Sequence, residues 1–370
     1  IRNCLVGSEM CIRDSHKFMA RALQLARKGK YSAHPNPQVG AVIVKNEQII
    51  GEGWHQEAGL PHAEINALKS ITQTSNGATL YVTLEPCAHM GKTGPCCNAL
   101  IEANIARVIV ACEDPFEEVA GKGLAALRAV GIEVMVGLMK AEARFLNRGF
   151  FSRIEKKRPF TCLKIAASMD GAIAMKNGES QWITGEHARA DVQKLRAQSG
   201  AIMTGSGTVL NDNPALTVRD NLLTKNQPLR VIVDSRLNIS PDAQIFKNSG
   251  HTWVFCIDDQ KSDKFDVINT KIIKTTANNE QVDIPEVLKV LAANQVNNLL
   301  IEAGPVLAGT MLTMNLIDEL VIYQAPHIMG SEVQSMFYTP TWTSLTNKQE
   351  LTITEICKIG KDIKIIAKPL

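Results

Sequence analysis

The sequence predicts an α/β protein of two domains: an α/β sandwich over 14–150, then a mostly parallel, doubly wound sheet over 151–370. Three observations predict it. Short runs rich in Val and Ile alternate with helical stretches along the chain, which is the pattern of helices layered on sheets. At 370 residues, with 45% hydrophobic and 21% charged residues, the chain has a globular composition and enough length for two cores. A charged stretch ending in proline, 148–159 (RGFFSRIEKKRP), separates the two series of elements.

Residues 1–13 show no clear period and read as an extension outside the fold. They lack the sustained apolar stretch and cleavage site of a signal peptide. Order is expected from Asp14-Ser15, an N-cap for a helix whose apolar face is Phe18, Met19, Ala22, Leu23, Leu25 and Ala26. That helix stops at Gly29, and His34-Pro35-Asn36-Pro37 follows as a rigid turn. Strands over 39–44 and 48–53 form a hairpin leading into Trp54-His55. Pro61 fits the first turn of a helix that carries His62 and Glu64. A strand over 79–82 delivers Pro86-Cys87, and Cys96 and Cys97 open another helix. A strand over 107–111, a helix over 123–129 and a strand over 134–136 complete the first domain.

In the second domain, a strand over 160–167 ends in the turn Ser168-Met169-Asp170-Gly171. A helix over 186–198 presents Glu186, Arg189, Asp191 and Lys194 on its polar face. Strands are expected at 201–204, 229–234, 252–256, 298–302 and 319–325, with helices at 284–293 and 306–314. Ligands of such sheets bind beyond the carboxyl ends of the strands. Three of those ends carry glycine: Gly171, Gly205 with Gly207, and Gly304. Gly304 enters a helix N-terminus, where backbone N–H groups can hold a phosphate. No Gly-x-Gly-x-x-Gly is present, so the standard dinucleotide fingerprint fails.

The chemistry centres on His62-Ala63-Glu64, Pro86-Cys87 and Cys96. This His-x-Glu…Pro-Cys…Cys pattern is the signature of zinc-dependent deaminases. Catalytic zinc takes three protein ligands and leaves a fourth position for water, whose pKa it lowers towards about 7. His62, Cys87 and Cys96 supply the three ligands. Glu64 moves a proton from that water to the ring nitrogen and the leaving amine. A structural zinc would need a fourth ligand, for which Cys97 and His89 are the candidates, although helix packing suits Cys97 better. Cys112, Cys162, Cys256 and Cys357 sit in apolar runs and read as core. Eight residues, 88–95, separate the two cysteine ligands, against two in deaminases of nucleosides and nucleic acids. Their glycines, His89 and Lys92 suit an anionic group beside the metal.

Several partner classes find no support. The net charge is only +3, which favours neither a nucleic-acid nor a membrane surface. No run of 18 apolar residues is present. Nine cysteines in a long chain without a secretory signal point to reduced thiols, metal ligation and a cytoplasmic location.

The first half resembles the deaminase domain of the bifunctional riboflavin-biosynthesis deaminase/reductases. The resemblance is carried by His34-Pro35-Asn36-Pro37-x-Val39-Gly40, Gly53-Trp54-His55, His62-Ala63-Glu64 and Pro86-Cys87-x-His89-x-Gly91-Lys92-Thr93-x-Pro95-Cys96-Cys97. The second half is similar to the reductase domain of the same family. There the matching stretches include Lys164-Ile165-Ala166-x-Ser168-x-Asp170-Gly171, Trp182-Ile183-Thr184-Gly185, Leu195-Arg196-Ala197 and Val233-Asp234-Ser235. They also include Gly205-x-Gly207-Thr208-Val209-x-x-Asp212-x-Pro214-x-Leu216-Thr217-x-Arg219 and Glu302-x-Gly304-Pro305. The resemblance covers 14–370 and is weakest after Gly330.

The resemblance implies a cytidine-deaminase-like α/β/α sandwich and a dihydrofolate-reductase-like second domain, with Zn2+ and NADPH as cofactors. It implies a phosphoribosyl-pyrimidine substrate, 2,5-diamino-6-(5-phosphoribosylamino)pyrimidin-4-one. This is deaminated at the ring, and its ribosyl group is then reduced to ribityl phosphate. Asn36, His55, His89, Lys92 and Asp114 would contact substrate in the first domain. Ala166, Trp182, Thr208, Asp212, Ser235 and the turn Gly304, Pro305, Val306, Leu307, Ala308, Gly309, Thr310 would line NADPH. Ser180, Arg196, Leu216, Arg219 and Glu302 would hold substrate in the second, with Lys164 and Asp170 orienting the ribose. The family is usually homo-oligomeric. The chain departs from it at Asp114-Pro115-Phe116-Glu117, where Asp-Pro-Asn-Pro is common. Two other readings compete: a nucleoside or nucleic-acid deaminase with a non-reductase binding domain, and a zinc-stabilised scaffold without activity.

Overall fold

The computed structural model describes residues 2–88, 94–117, 119–220, 222–224, 226–265 and 269–370. The chain forms two compact units, Ile1–Lys156 and Lys157–Leu370.

The first unit runs α1 (Arg2–Ala26), β1 (Gly40–Lys45), β2 (Gln48–Trp54), α2 (Ala63–Lys69), β3 (Thr79–Val82), α3 (Cys96–Glu102), β4 (Arg107–Val110), α4 (Lys122–Ala129), β5 (Glu133–Val136), α5 (Lys140–Leu146) and α6 (Arg148–Glu155). Its five strands lie in the order β2-β1-β3-β4-β5. The β1–β2 and β1–β3 pairs are antiparallel; β3–β4 and β4–β5 are parallel. Central β1 (GAVIVK) is apolar without alternation because both its faces are covered, with all but Lys45 buried. One apolar layer joins β1, β3 and β4 to α2, α3 and α4 through Ala63, Leu80, Leu100, Val108 and Leu124. The other joins the sheet to α1 through Phe18, Met19, Ala22 and Leu25.

Two expectations change here. α1 begins at Arg2, so Asp14 lies inside the helix and does not cap it. The stretch before Asp14 contains Leu, Met, Arg and Glu, good helix formers with no proline to stop them. The charged stretch expected as a linker is largely α6, which buries Phe150 and Phe151.

The second unit runs β6 (Phe160–Ser168), β7 (Ala172–Met175), α7 (Glu186–Ala197), β8 (Ala201–Gly205), α8 (Ser206–Asp212), β9 (Leu229–Val233), α9 (Gln244–Lys247), β10 (Thr252–Cys256), β11 (Thr270–Lys274), β12 (Ala277–Asn278) and β13 (Gln281–Val282). It continues through α10 (Ile284–Ala293), β14 (Asn298–Ile301), α11 (Pro305–Thr313), β15 (Glu319–Ala325), β16 (Val333–Ser335), β17 (Leu351–Ile359) and β18 (Asp362–Pro369). The main sheet has the order β11-β10-β9-β8-β14-β6-β15-β18-β17. The strands from β11 to β15 are parallel, and β18 and β17 close the sheet antiparallel. Its core packs Leu163, Met203, Val231 and Leu299 against Val287, Leu291 and Met311. Cys112 and Cys256 are core residues as expected, whereas Cys162 and Cys357 are half-buried.

The first site depends on how closely α2 approaches β2. A Cβ on Gly53 would lie 2.3 Å from both the Ala63 carbonyl oxygen and the Ala67 amide nitrogen. Gly53→Ala should therefore push α2 off the sheet and destabilise the first unit by about 1–3 kcal/mol. Urea unfolding of the variant measures this; an unchanged midpoint would contradict the packing argument.

Candidate active sites

In the first unit three elements converge. His62 is the N-cap of α2, and Glu64 lies in that helix's first turn. Cys87 follows β3, and Cys96 begins α3. His62 Nδ1 lies 3.3 Å from Cys96 Sγ and 3.6 Å from Cys87 Sγ. The three ligand atoms all fall within 4.8 Å of one another. Tetrahedral zinc, with Zn–N near 2.0 Å and Zn–S near 2.3 Å, spaces such ligand pairs roughly 3.5 Å apart. The donor set therefore fits a three-ligand zinc. Cys97 is not a fourth ligand: its thiol donates to the Pro86 and Gly123 carbonyls, and burial pushes it up to about 12.

The electrostatics agree. The hydrogen bond with Cys96 and the nearby His62 hold Cys87 down at about 4. The same S–H···S hydrogen bond and burial push Cys96 strongly upward. A metal taking both as thiolates would release the remaining thiol proton. The Cys87 bond raises His62. Glu64 is 3% exposed, and burial pushes its carboxyl up to about 7.

His55 is buried beside this cluster, its ring edge-on to that of His62 with centroids 5.5 Å apart. Its Nδ1 lies 3.3 Å from the Pro61 carbonyl, which can only accept, so Nδ1 carries the proton. Nε2 is then an acceptor for the Asn36 amide at 3.0 Å. Burial lowers the His55 pKa, consistent with this neutral form. Asn36 and His55 thus form one hydrogen-bonded pair next to the metal ligands. Asp114 follows β4, and its Oδ1 accepts from the Phe116 amide at 2.9 Å. His89 and Lys92 lie outside the described residues.

The second unit holds a cleft of about 1640 Å³ at the carboxyl ends of β6, β8, β9 and β14. That exceeds the roughly 300–1,000 Å³ of a single small-molecule pocket and leaves room for two ligands. Lys164, Ala166, Ser180, Trp182, Arg196, Thr208, Asp212, Leu216, Arg219, Glu302, Gly304, Pro305, Val306, Leu307 and Thr310 all line it. The start of α11 opens into the cleft, and Thr208 Oγ1 accepts from the Gly304 amide at 3.1 Å. The Ser180 hydroxyl donates to Asp212 at 3.0 Å. At the cleft wall Arg196 makes a two-pronged pair with Glu302, at 2.6 and 3.1 Å, and a third bond to the Thr217 carbonyl. Lys164 Nζ stands 3.8 Å from the same carboxylate. Burial would raise Glu302, but Arg196 and then Lys164 outweigh it and hold the carboxyl below its usual range.

Two family models match the chain: "RibD C-terminal domain" over 159–365 and "Cytidine and deoxycytidylate deaminase zinc-binding region" over 12–112. Riboflavin biosynthesis protein RibD of Escherichia coli K12 is 44% identical, over 94% of this chain and 97% of that protein. Its Haemophilus influenzae counterpart is 43% identical, over 95% and 96%. The chain belongs to the RibD family. Among RibD structures, that of Acinetobacter baumannii (form 1) matches at 39% identity and a TM-score of 0.90, covering 97% of this chain and 99% of that one. A Thermotoga maritima protein, described as a diaminohydroxyphosphoribosylaminopyrimidine deaminase/5-amino-6-(5-phosphoribosylamino)uracil reductase, matches at 31% and 0.87, with the same coverage. The resemblance read from the motifs is thereby borne out, as is the pairing of a zinc-binding deaminase domain with an NADPH-dependent RibD reductase domain.

Four residues expected at the RibD reductase site do not line its cleft. Asp170 turns away: its carboxylate accepts from the Ser168 hydroxyl and the Met329 and Gly330 amides, tying two loops together. Ser235 stands one layer back, accepting from the Val282 amide and donating to the Gln281 side chain, both at 3.1 Å. Ala308 and Gly309 lie on the buried side of α11. Arg196 lines the cleft but has its guanidinium taken by Glu302 and Thr217. The exposed cation there is instead Arg219; Arg189 is half-buried, donates to the Thr184 carbonyl at 2.7 Å and lies 4.8 Å over the Trp182 ring. Arg189 appeared in the sequence only as helix-face charge; its spacing of seven from Arg196 on α7 is the signal that could have placed it.

Proposed function

We propose that this chain carries out two consecutive steps. The first deaminates 2,5-diamino-6-(5-phosphoribosylamino)pyrimidin-4-one. The second reduces the product's ribosyl group to ribityl phosphate with NADPH. The supporting observation is one chain holding a His/Cys/Cys donor set with a buried glutamate in one unit and a two-ligand cleft in the other.

His62, Cys87 and Cys96 would hold the zinc, which would supply Lewis-acid activation of water. Glu64 takes a proton and returns it to the departing amine, so that water plus the ring amine gives a carbonyl and ammonia. The buried carboxyl, raised to about 7, suits both directions of transfer at neutral pH. Asn36 and the Nδ1-protonated His55 orient the ring, and Asp114 is a further substrate contact. In the second unit Trp182, Thr208, Asp212 and the α11 N-terminus would hold NADPH, which would supply the hydride. Arg219 and Arg189 meet anionic groups, while the Lys164–Glu302–Arg196 cluster faces the sugar. The small net charge argues against a nucleic-acid substrate. No described helix is long and apolar enough to cross a membrane. A cytoplasmic location and a homo-oligomer belong to the same proposal. The absence of a disulfide among the described cysteines supports the first; the outermost strand β17, with Ile353 and Ile356 exposed, supports the second.

Metal analysis with parallel assays tests this. About one zinc per chain is expected, with ammonia released without NADPH and NADPH oxidised only once deaminated product is present. Cys96→Ser should remove zinc and deamination while sparing reduction of supplied product. Ammonia release without any NADPH consumption would favour the deaminase with a binding domain.

A further inference from the structure

Beyond β3, Glu85 is 4% exposed yet carries a carboxylate. Its oxygens accept four backbone amides from residues 29 to 39 positions further along the chain. Oε2 accepts from Asp114 at 3.3 Å and from Gly121 at 3.0 Å. Oε1 accepts from Gly123 at 2.9 Å and from Leu124 at 3.3 Å. Gly121 is the N-cap of α4 and has no side chain to cap the helix itself. Glu85 therefore caps α4 from the segment that follows β3. It satisfies amides that intrahelical bonding leaves open and places negative charge at the positive end of the helix.

The two segments are in direct contact. A Cβ on Gly123 would meet the Pro86 carbonyl oxygen at 2.0 Å. The Cys97 thiol lies within hydrogen-bond reach of both the Pro86 and Gly123 carbonyls, at 3.4 and 3.5 Å. Cys87 thus sits two residues from Glu85 on one side, and the Asp114 amide is held by Glu85 on the other.

We propose that Glu85 is a positioning residue of the deaminase, keeping the Asp114 loop in register with the metal ligand Cys87. This rests on the deaminase reading of that site. Glu85→Gln keeps one acceptor oxygen and turns an NH2 group toward amides that need an acceptor. In the full-length chain it should raise the KM for the pyrimidine about tenfold, the effect of one lost hydrogen bond to a charged group. The kcat should stay within about twofold, a split expected when binding rather than the transition state is affected. Zinc content and reduction of supplied product should match the parent. Asp114→Ala should raise KM similarly, and combining it with Glu85→Gln should add nothing, because both act through one contact. If Glu85→Gln does not fold, Glu85→Asp gives the same KM–kcat split in milder form.

A lowered Tm with an unchanged KM would reduce Glu85 to a helix cap. Additive KM effects in the double variant would also overturn the proposal. If the parent chain itself releases no ammonia, the deaminase reading fails before either comparison is made.

Discussion

Glu64→Gln should lower the rate of ammonia release by about 10²–10⁴-fold, the usual contribution of a positioned general acid–base group. Zinc content should not change, because His62, Cys87 and Cys96 form the donor set without Glu64. NADPH oxidation with supplied deaminated product should also persist, since its cleft is built entirely from the second unit. The result to watch is the combination. Loss of zinc or of fold in this variant would mean that Glu64 is structural. Full ammonia release would mean that another group moves the proton.

Arg196→Met should have the largest effect on the second unit. Arg196 and Glu302 are buried as a pair, with side chains only 10% and 12% exposed. Removing one member of such a pair strands a charge and costs about 3–5 kcal/mol. Lys164, at 3.8 Å, offsets part of this but cannot replace the two-pronged geometry. The denaturant midpoint of the second unit should fall and NADPH oxidation should be lost, while ammonia release continues. Adding Glu302→Gln removes the stranded charge. Stability should then partly recover while reduction does not, which separates the pair's structural part from its place at the sugar. Recovery of both would remove Glu302 from the site.

The candidate metal ligands were legible in the sequence because ligation restricts residue type: few side chains bind zinc, and His62, Cys87 and Cys96 stand at a recognisable spacing, with Glu64 two residues from the histidine. Strands such as β1 and β14 were legible because burial on both faces leaves apolar runs without alternation. Glu85 was not, because its partners are backbone amides, which have no sequence signature. Asp170, which the resemblance places at the ribose, has its carboxylate bonded by the Met329 and Gly330 amides, again partners with no sequence signature. The β17–β18 hairpin escaped because β17 is exposed along most of its length and so lacks an alternating face. The short α8 and α9 offer too few residues for a helical period to register.

The order of strands in the two sheets bears on how the chain is made. Every strand of the five-stranded sheet has been synthesised once residue 136 is out, so the deaminase core can close while the rest is still on the ribosome. The nine-stranded sheet cannot. Its interior strand β6 is the first made, yet its neighbours β14 and β15 come more than a hundred residues later, and β18 comes last. Those pairings are long-range, so their loop-closure entropy is met late and folding is slow. β6 therefore waits with two unpaired edges, exposed to chaperones and to neighbouring nascent chains, until the far end of the chain arrives.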